Sequence, residues 1–241
     1  MSAGDVIEAV PHRAYPAVLS ARLEEPLKRW LWIVKWLLLI PHFIVLIVLW
    51  IGVVLATIGA WFAILFTGRY PRGIFDYNVG VLRWSWRVSF YGYSALGTDR
   101  YPPFSLQQEP DYPATLDVPY QEEHARWPVF GRIVLAIPQL LIAGILEGGG
   151  AGFTTGHGHG PDFATPWSGL IGLLALIIGF ALLFTTRYLR DLFGFIVGLN
   201  RWVFRVVVYV LLMTDQYPPF RFDGGADEPQ ARVEPAVPPS P

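Results

Sequence analysis

Two long stretches of this chain carry no positive charge, and each is followed by a segment in which arginines return at helical spacing. From Trp36 to Gly68 there is no charged residue at all, and from Ile133 to Thr186 there is no lysine or arginine. One helix over 36–68 would rise about 50 Å, well beyond a hydrocarbon core of about 30 Å. In the segments that follow, Gly80, Arg83, Arg87 and Tyr91 fall on one helical stripe, as do Gly198, Arg201, Arg205 and Tyr209.

The pattern is a duplication. Tyr15-Pro16-Ala17-Val18-Leu19 returns 97 residues later as Tyr112-Pro113-Ala114-Thr115-Leu116, and at that offset Lys35 becomes Arg132 and His42 becomes Gln139. Further on the offset is 118, matching Phe66-Thr67-Gly68-Arg69-Tyr70 to Phe184-Thr185-Thr186-Arg187-Tyr188 and each arginine stripe to the other. Near the end it is 116, matching Thr98-Asp99-Arg100-Tyr101-Pro102-Pro103-Phe104 to Thr214-Asp215-Gln216-Tyr217-Pro218-Pro219-Phe220. Three ordered blocks of this kind define a tandem repeat.

The offset grows from 97 to 118 between Leu146 and Trp167, so the second copy is 21 residues longer there, and insertions of this kind are tolerated at loop tips. The insertion maps back to Leu49-Trp50-Ile51-Gly52. Each copy is therefore expected to open with a transmembrane hairpin, 30–49 with 52–68 and 127–146 with 167–186, each arm near the 20 residues that a span requires. Segments 73–95 and 191–213 are expected to lie in the membrane interface as amphipathic helices, with Phe75, Val79, Leu82 and Trp86 toward lipid, because two arginines near mid-membrane would be costly. Alternation in the Tyr-Pro-Ala segments, in Phe104-x-Leu106 and in Phe220-x-Phe222 predicts short strands on the cytoplasmic side. The fold class expected is thus an all-α polytopic membrane protein with four transmembrane helices and short β segments. Its parts are a tail at 1–14, copies at 15–106 and 112–222 joined by a linker at 107–111, an external loop at 147–166, and a Pro-rich disordered tail at 223–241.

Composition agrees with membrane residence. Residues of the AVILMFWYC set make up 53% of the 241 and charged residues 15%, where a soluble domain carries about 25%. A net charge of −1 gives no footprint for nucleic acid, and the lack of cysteine excludes disulfides, thiol nucleophiles and thiolate metal sites. The basic residues cluster at the hairpin mouths, so the positive-inside rule places the mouths and both termini in the cytoplasm, with no signal peptide ahead of them.

Phe66-Thr67-Gly68-Arg69-Tyr70-Pro71, Arg83-Trp84-x2-Arg87 and Thr98-Asp99-Arg100-Tyr101-Pro102-Pro103-Phe104, with Ile40-Pro41-His42 before them, resemble a bacterial membrane family catalogued as domain of unknown function 4389. The resemblance covers both copies, about 15–222. The second copy departs from the pattern at Gln139, Thr186, Leu189 and Gln216. The resemblance implies a multi-pass protein of the bacterial inner membrane and carries no catalytic residues with it.

Among candidate sites, Arg83, Arg87, Arg201 and Arg205 are suited to bind anionic lipid phosphates at the cytoplasmic interface. A structural reading stands beside it, in which the arginines pair with Asp99 and Asp215 and are joined by Arg69 and Arg187. His157 and His159 supply too few ligands for a defined metal site and read better as part of a glycine-rich linker. His42 could serve a proton relay, but its counterpart Gln139 favours a hydrogen bond between helices. No catalytic set is found and no cofactor is expected. The function expected is that of a non-enzymatic accessory or scaffold protein contacting anionic lipid or a membrane partner. The alternative is a small transporter or channel with six crossings and inverted repeats.

Overall fold

A computed structural model describes residues 15–125, 128–148, 169–185 and 188–220. Those residues form five helices and a two-stranded sheet. In chain order they are β1 (Val18–Ala21), α1 (Leu31–Thr67), α2 (Arg72–Gly92), β2 (Ala114–Asp117), α3 (Pro128–Glu147), α4 (Leu170–Thr185) and α5 (Arg190–Val210).

The hairpin expected in the first copy does not form. α1 is one helix of 37 residues, about 55 Å long. Its middle is splinted by α2, which runs back along it: the Tyr77 hydroxyl donates to the Leu49 carbonyl, Trp50 Nε1 donates to Ser85 Oγ, and Asn78 Nδ2 donates to Thr57 Oγ1. Gly52, which a turn would have used, lets the Tyr77 ring approach instead. A Cβ at that position would stand 2.3 Å from the Tyr77 hydroxyl.

The second copy does not reverse either. α3 begins beside the C-terminal end of α1, where His124 N–H donates to the Gly68 carbonyl and Arg69 bridges Glu123. α4 finishes beside the N-terminal end of α1, where Phe180 meets Trp32 edge-on at 5.8 Å. Gly148 and Gly169 abut where α3 stops and α4 starts. α3 and α4 therefore follow one another in line, antiparallel to α1. Four transmembrane helices arranged as two hairpins are replaced by one long helix and a second long helix interrupted once. Of the segment between Leu146 and Trp167, residues 149–166 lie outside the described residues.

Positions at the repeat offsets make matching contacts across the chain. β1 and β2 pair antiparallel with Leu19 opposite Leu116, its own counterpart. Tyr70 donates to the Leu211 carbonyl, and Tyr188 donates to the carbonyl of Ala95, the residue matching Leu211. Each copy thus latches the other about a local twofold axis. On that axis Trp86 packs on its counterpart Phe204, 5.6 Å between ring centres.

Three layers result. The sheet and the extended chain from Tyr101 to Glu123 form one outer layer, α2 and α5 the middle, and α1 with α3–α4 the other outer layer. Phe75, Val79, Leu82 and Trp86 are all buried inside this stack. The expectation that α2 meets lipid is corrected, because α1 covers one of its faces and the extended chain covers the opposite one. Phe104-x-Leu106 forms no strand. It is held against α2 by ring stacking on His42 and Trp84 and by contact with Gly80.

Gly80 sets how closely that chain approaches. A Cβ there would fall 2.8 Å from Leu106 Cβ and 2.9 Å from the Leu106 carbonyl oxygen. In an isolated helix Gly80→Ala would gain about 1 kcal/mol. Here the backbone of 105–107 must move, and a net loss of about 1–2 kcal/mol is expected in thermal unfolding of the purified protein. An unchanged or raised melting temperature would show that the chain does not pack this closely.

Candidate functional site

The arginine stripes face the axis and the extended chain. Arg83 Nε donates to the Leu116 carbonyl of the second copy at 2.9 Å, and Arg201 Nε donates to the matching Leu19 carbonyl of the first at 3.2 Å. Arg87 donates to the carbonyls of Ser105 and Gln107. The Arg205 guanidinium lies 5.6 Å from the Tyr15 ring centre, and the Tyr15 hydroxyl donates to the Arg205 carbonyl. Arg87, Arg201 and Arg205 have at most 2% of their surface exposed. These side chains tie helices to strands across the duplication, and only Arg83, paired with Asp117 at 2.9 Å, reaches the surface.

The acids at matching positions of the two copies go elsewhere. Asp99 pairs with Lys35 at 3.0 Å and accepts the Lys28 N–H at 2.7 Å. At the matching positions Asp215 pairs with Arg132 and accepts the Ala125 N–H at 3.0 Å. Asp215 also contacts His124 Nδ1 at 2.6 Å. The pairing of these acids with the stripe is therefore corrected: each one fastens the first turns of a long helix to the segment after the return helix. The stripe lies on the far side of α2 and α5, where backbone carbonyls already meet it. Burial alone would raise the Asp215 pKa, but the His124 contact, the Ala125 N–H and Arg132 outweigh it and hold the carboxyl at about 2.

Arg69 pairs with Glu122 at 3.7 Å in the open, which is worth little. Arg187, His157 and His159 lie outside the described residues, and among the described residues no group of metal-binding type occurs. His42 Nδ1 accepts Trp84 Nε1–H at 3.0 Å and its ring stacks on Phe104, while Gln139 Nε2 donates to the Pro218 carbonyl at 3.0 Å. Both counterparts thus use their polar side chain to fasten a long helix to its own copy.

A cavity of about 620 Å³ lies on the α1 side of the middle layer, walled by α1, α2 and α5 with Glu147 at one corner. Glu147 was visible as the lone acid between Ile133 and Gly160, yet only the fold shows what surrounds it.

The geometry defines a mostly helical protein in which, among the described residues, two helices, α1 and α5, are long and apolar enough to cross a membrane by length and composition. The family domain of unknown function 4389 matches residues 29–105 and 166–221, more than half of the chain and in two segments, and the chain belongs to that family. No curated protein and no solved structure matches it.

Proposed function

We propose that this is a membrane protein that lies within one leaflet and acts as a non-enzymatic scaffold, its apolar layer in the bilayer and its sheet layer in the cytoplasm. The observation that carries this reading is the level of Arg83 and Asp117 along α1. Ser85 meets Trp50 near the midpoint of α1, and Arg83, two residues earlier on the opposite face of α2, holds Asp117, whose side chain is 61% exposed. Were α1 upright, that carboxylate and the non-helical chain beside it would sit at mid-bilayer facing lipid. A centrally placed charge costs about 3 kcal/mol or more, and lipid-exposed irregular backbone is not tolerated.

With α1 lying along the membrane plane, the conflict disappears. Leu37, Ile44, Ile47, Val48, Ile51, Leu55 and Phe66 of α1, with Val134, Ile145, Leu173 and Phe184 of α3 and α4, form an exposed apolar surface on one side of the molecule. Arg69, Arg72, Arg83, Arg100 and Arg190 belong to the other layers, and the positive-inside rule turns that side to the cytoplasm. Contact with lipid then rests on this apolar surface and not on the buried arginine stripes.

Depth-dependent quenching tests the placement. Single cysteines at Ile33, Ile44, Leu55 and Phe66, in a chain with no native cysteine, would carry a fluorophore in vesicles of lipids brominated at successive acyl positions. All four are expected to report one shallow depth. A profile with 44 and 55 at the bilayer centre and 33 and 66 at opposite interfaces would overturn the in-plane placement. A small transporter is the second reading, favoured by the cavity between the copies.

A further inference from the structure

We infer that the cavity beside α1 is a binding site for a lipophilic organic cation, with Glu147 as its counter-ion. The walls are apolar and aromatic: Phe43, Trp50, Tyr93 and Phe204 contribute rings, and Glu147 is the lone charged residue among the described lining residues. At about 620 Å³ the cavity has the size of a small-molecule site. Aromatic faces attract a cation that has shed its water, and a delocalised or quaternary cation sheds water most readily.

The duplication shows why this acid is available. Glu147 stands at the position of Trp50 in the first copy, offset by 97, and Val203 stands at that of Ser85, offset by 118. In the first copy the two positions bond to each other, Trp50 Nε1 to Ser85 Oγ at 3.1 Å. In the second copy the polar partner is a valine, and Glu147 makes no hydrogen bond or ion pair among the described residues. A structural acid in apolar surroundings would be given a partner by the fold. This one faces a cavity, and the ligand supplies the partner. The in-plane placement matters here only for the route of arrival, since the cavity lies on the bilayer side of the middle layer.

The test uses the full chain purified in detergent, in mildly alkaline buffer so that the carboxyl is ionised, with radiolabelled tetraphenylphosphonium in equilibrium dialysis. Saturable binding near one per chain is expected. Glu147→Gln should weaken it at least tenfold, about 1.4 kcal/mol, with no loss of melting temperature, because the acid being neutralised has no partner among the described residues. Val207→Phe, which narrows the cavity without changing its charge, should weaken it comparably. Dodecyltrimethylammonium should compete and dodecanol should not. Absence of saturable binding, equal affinity in Glu147→Gln, or equal competition by dodecanol would each overturn the proposal. None of these results bears on the depth profile of α1, so the two readings fail separately.

Discussion

Asp215→Ala is expected to lower the unfolding free energy by about 3–5 kcal/mol, measured by chemical or thermal unfolding in a mild detergent. The carboxylate is 27% exposed, but what it faces is buried: Arg132, the His124 ring and the Ala125 N–H converge on it. Removing the acid leaves the Arg132 guanidinium uncompensated at the root of α3, and stranding one member of a buried pair costs far more than the pair gains over an apolar substitute. Asp99→Ala should act in the same direction through Lys35, which is 2% exposed.

The same group gives a pH dependence with a fixed sign. Its folded pKa of about 2 lies below the ordinary carboxylate value of 3.8. The stabilisation is therefore complete above the ordinary value and is lost as pH falls from near 4 toward 2, amounting to about 2 kcal/mol. Asp215→Asn should flatten the acid limb of the stability profile. An acid limb identical in wild type and variant would show that the network around Asp215 does not form.

Trp86→Ala is expected to cost about 3–5 kcal/mol. Trp86 has no exposed surface, packs on Phe90 and Phe204, and donates from Nε1 to the Ser20 carbonyl at 3.3 Å. It therefore joins α2, α5 and β1 at the local twofold, and truncation opens a cavity where the copies meet. Ile44→Ala, also an apolar truncation but at an exposed position of α1, should change stability by less than about 1 kcal/mol in detergent. Equal effects at the two positions would argue against an interlocked pair of copies.

Much of this arrangement is legible in the chain alone. The ranges expected for 73–95 and 191–213 became α2 and α5 to within a few residues. The Tyr-Pro-Ala segments became the two strands, pairing across the copies. Lys35 with Arg132 and Asp99 with Asp215 stood out as matched positions, yet their pairing did not, because spacing along one helix says which residues share a face and nothing about what faces them. The spacing of the arginines at 83 and 201 suits lipid headgroups or the acids at 99 and 215, and the fold gives them strand carbonyls, which also accept charge-assisted hydrogen bonds.

The hairpin is the instructive miss. An insertion requires only that its two ends lie close together, and Gly148 and Gly169 do. In-line helices meet that requirement as well as a turn does, so tolerance of 21 added residues could not separate the two. Nor could hydropathy, since a helix lying along a leaflet and a pair crossing it bury the same apolar residues.

The sequence by itself determined the duplication, the identity of the apolar and charged segments and the family, because these depend on which residues recur at which offsets and on their transfer energies. Tertiary structure alone decided that α1 runs unbroken, that Arg87, Arg201 and Arg205 are spent inside, and that Glu147 faces a cavity with no partner among the described residues. These depend on contacts between residues 18 to 190 positions apart, where the partner's location is set by the packing of whole helices rather than by any local preference of the chain.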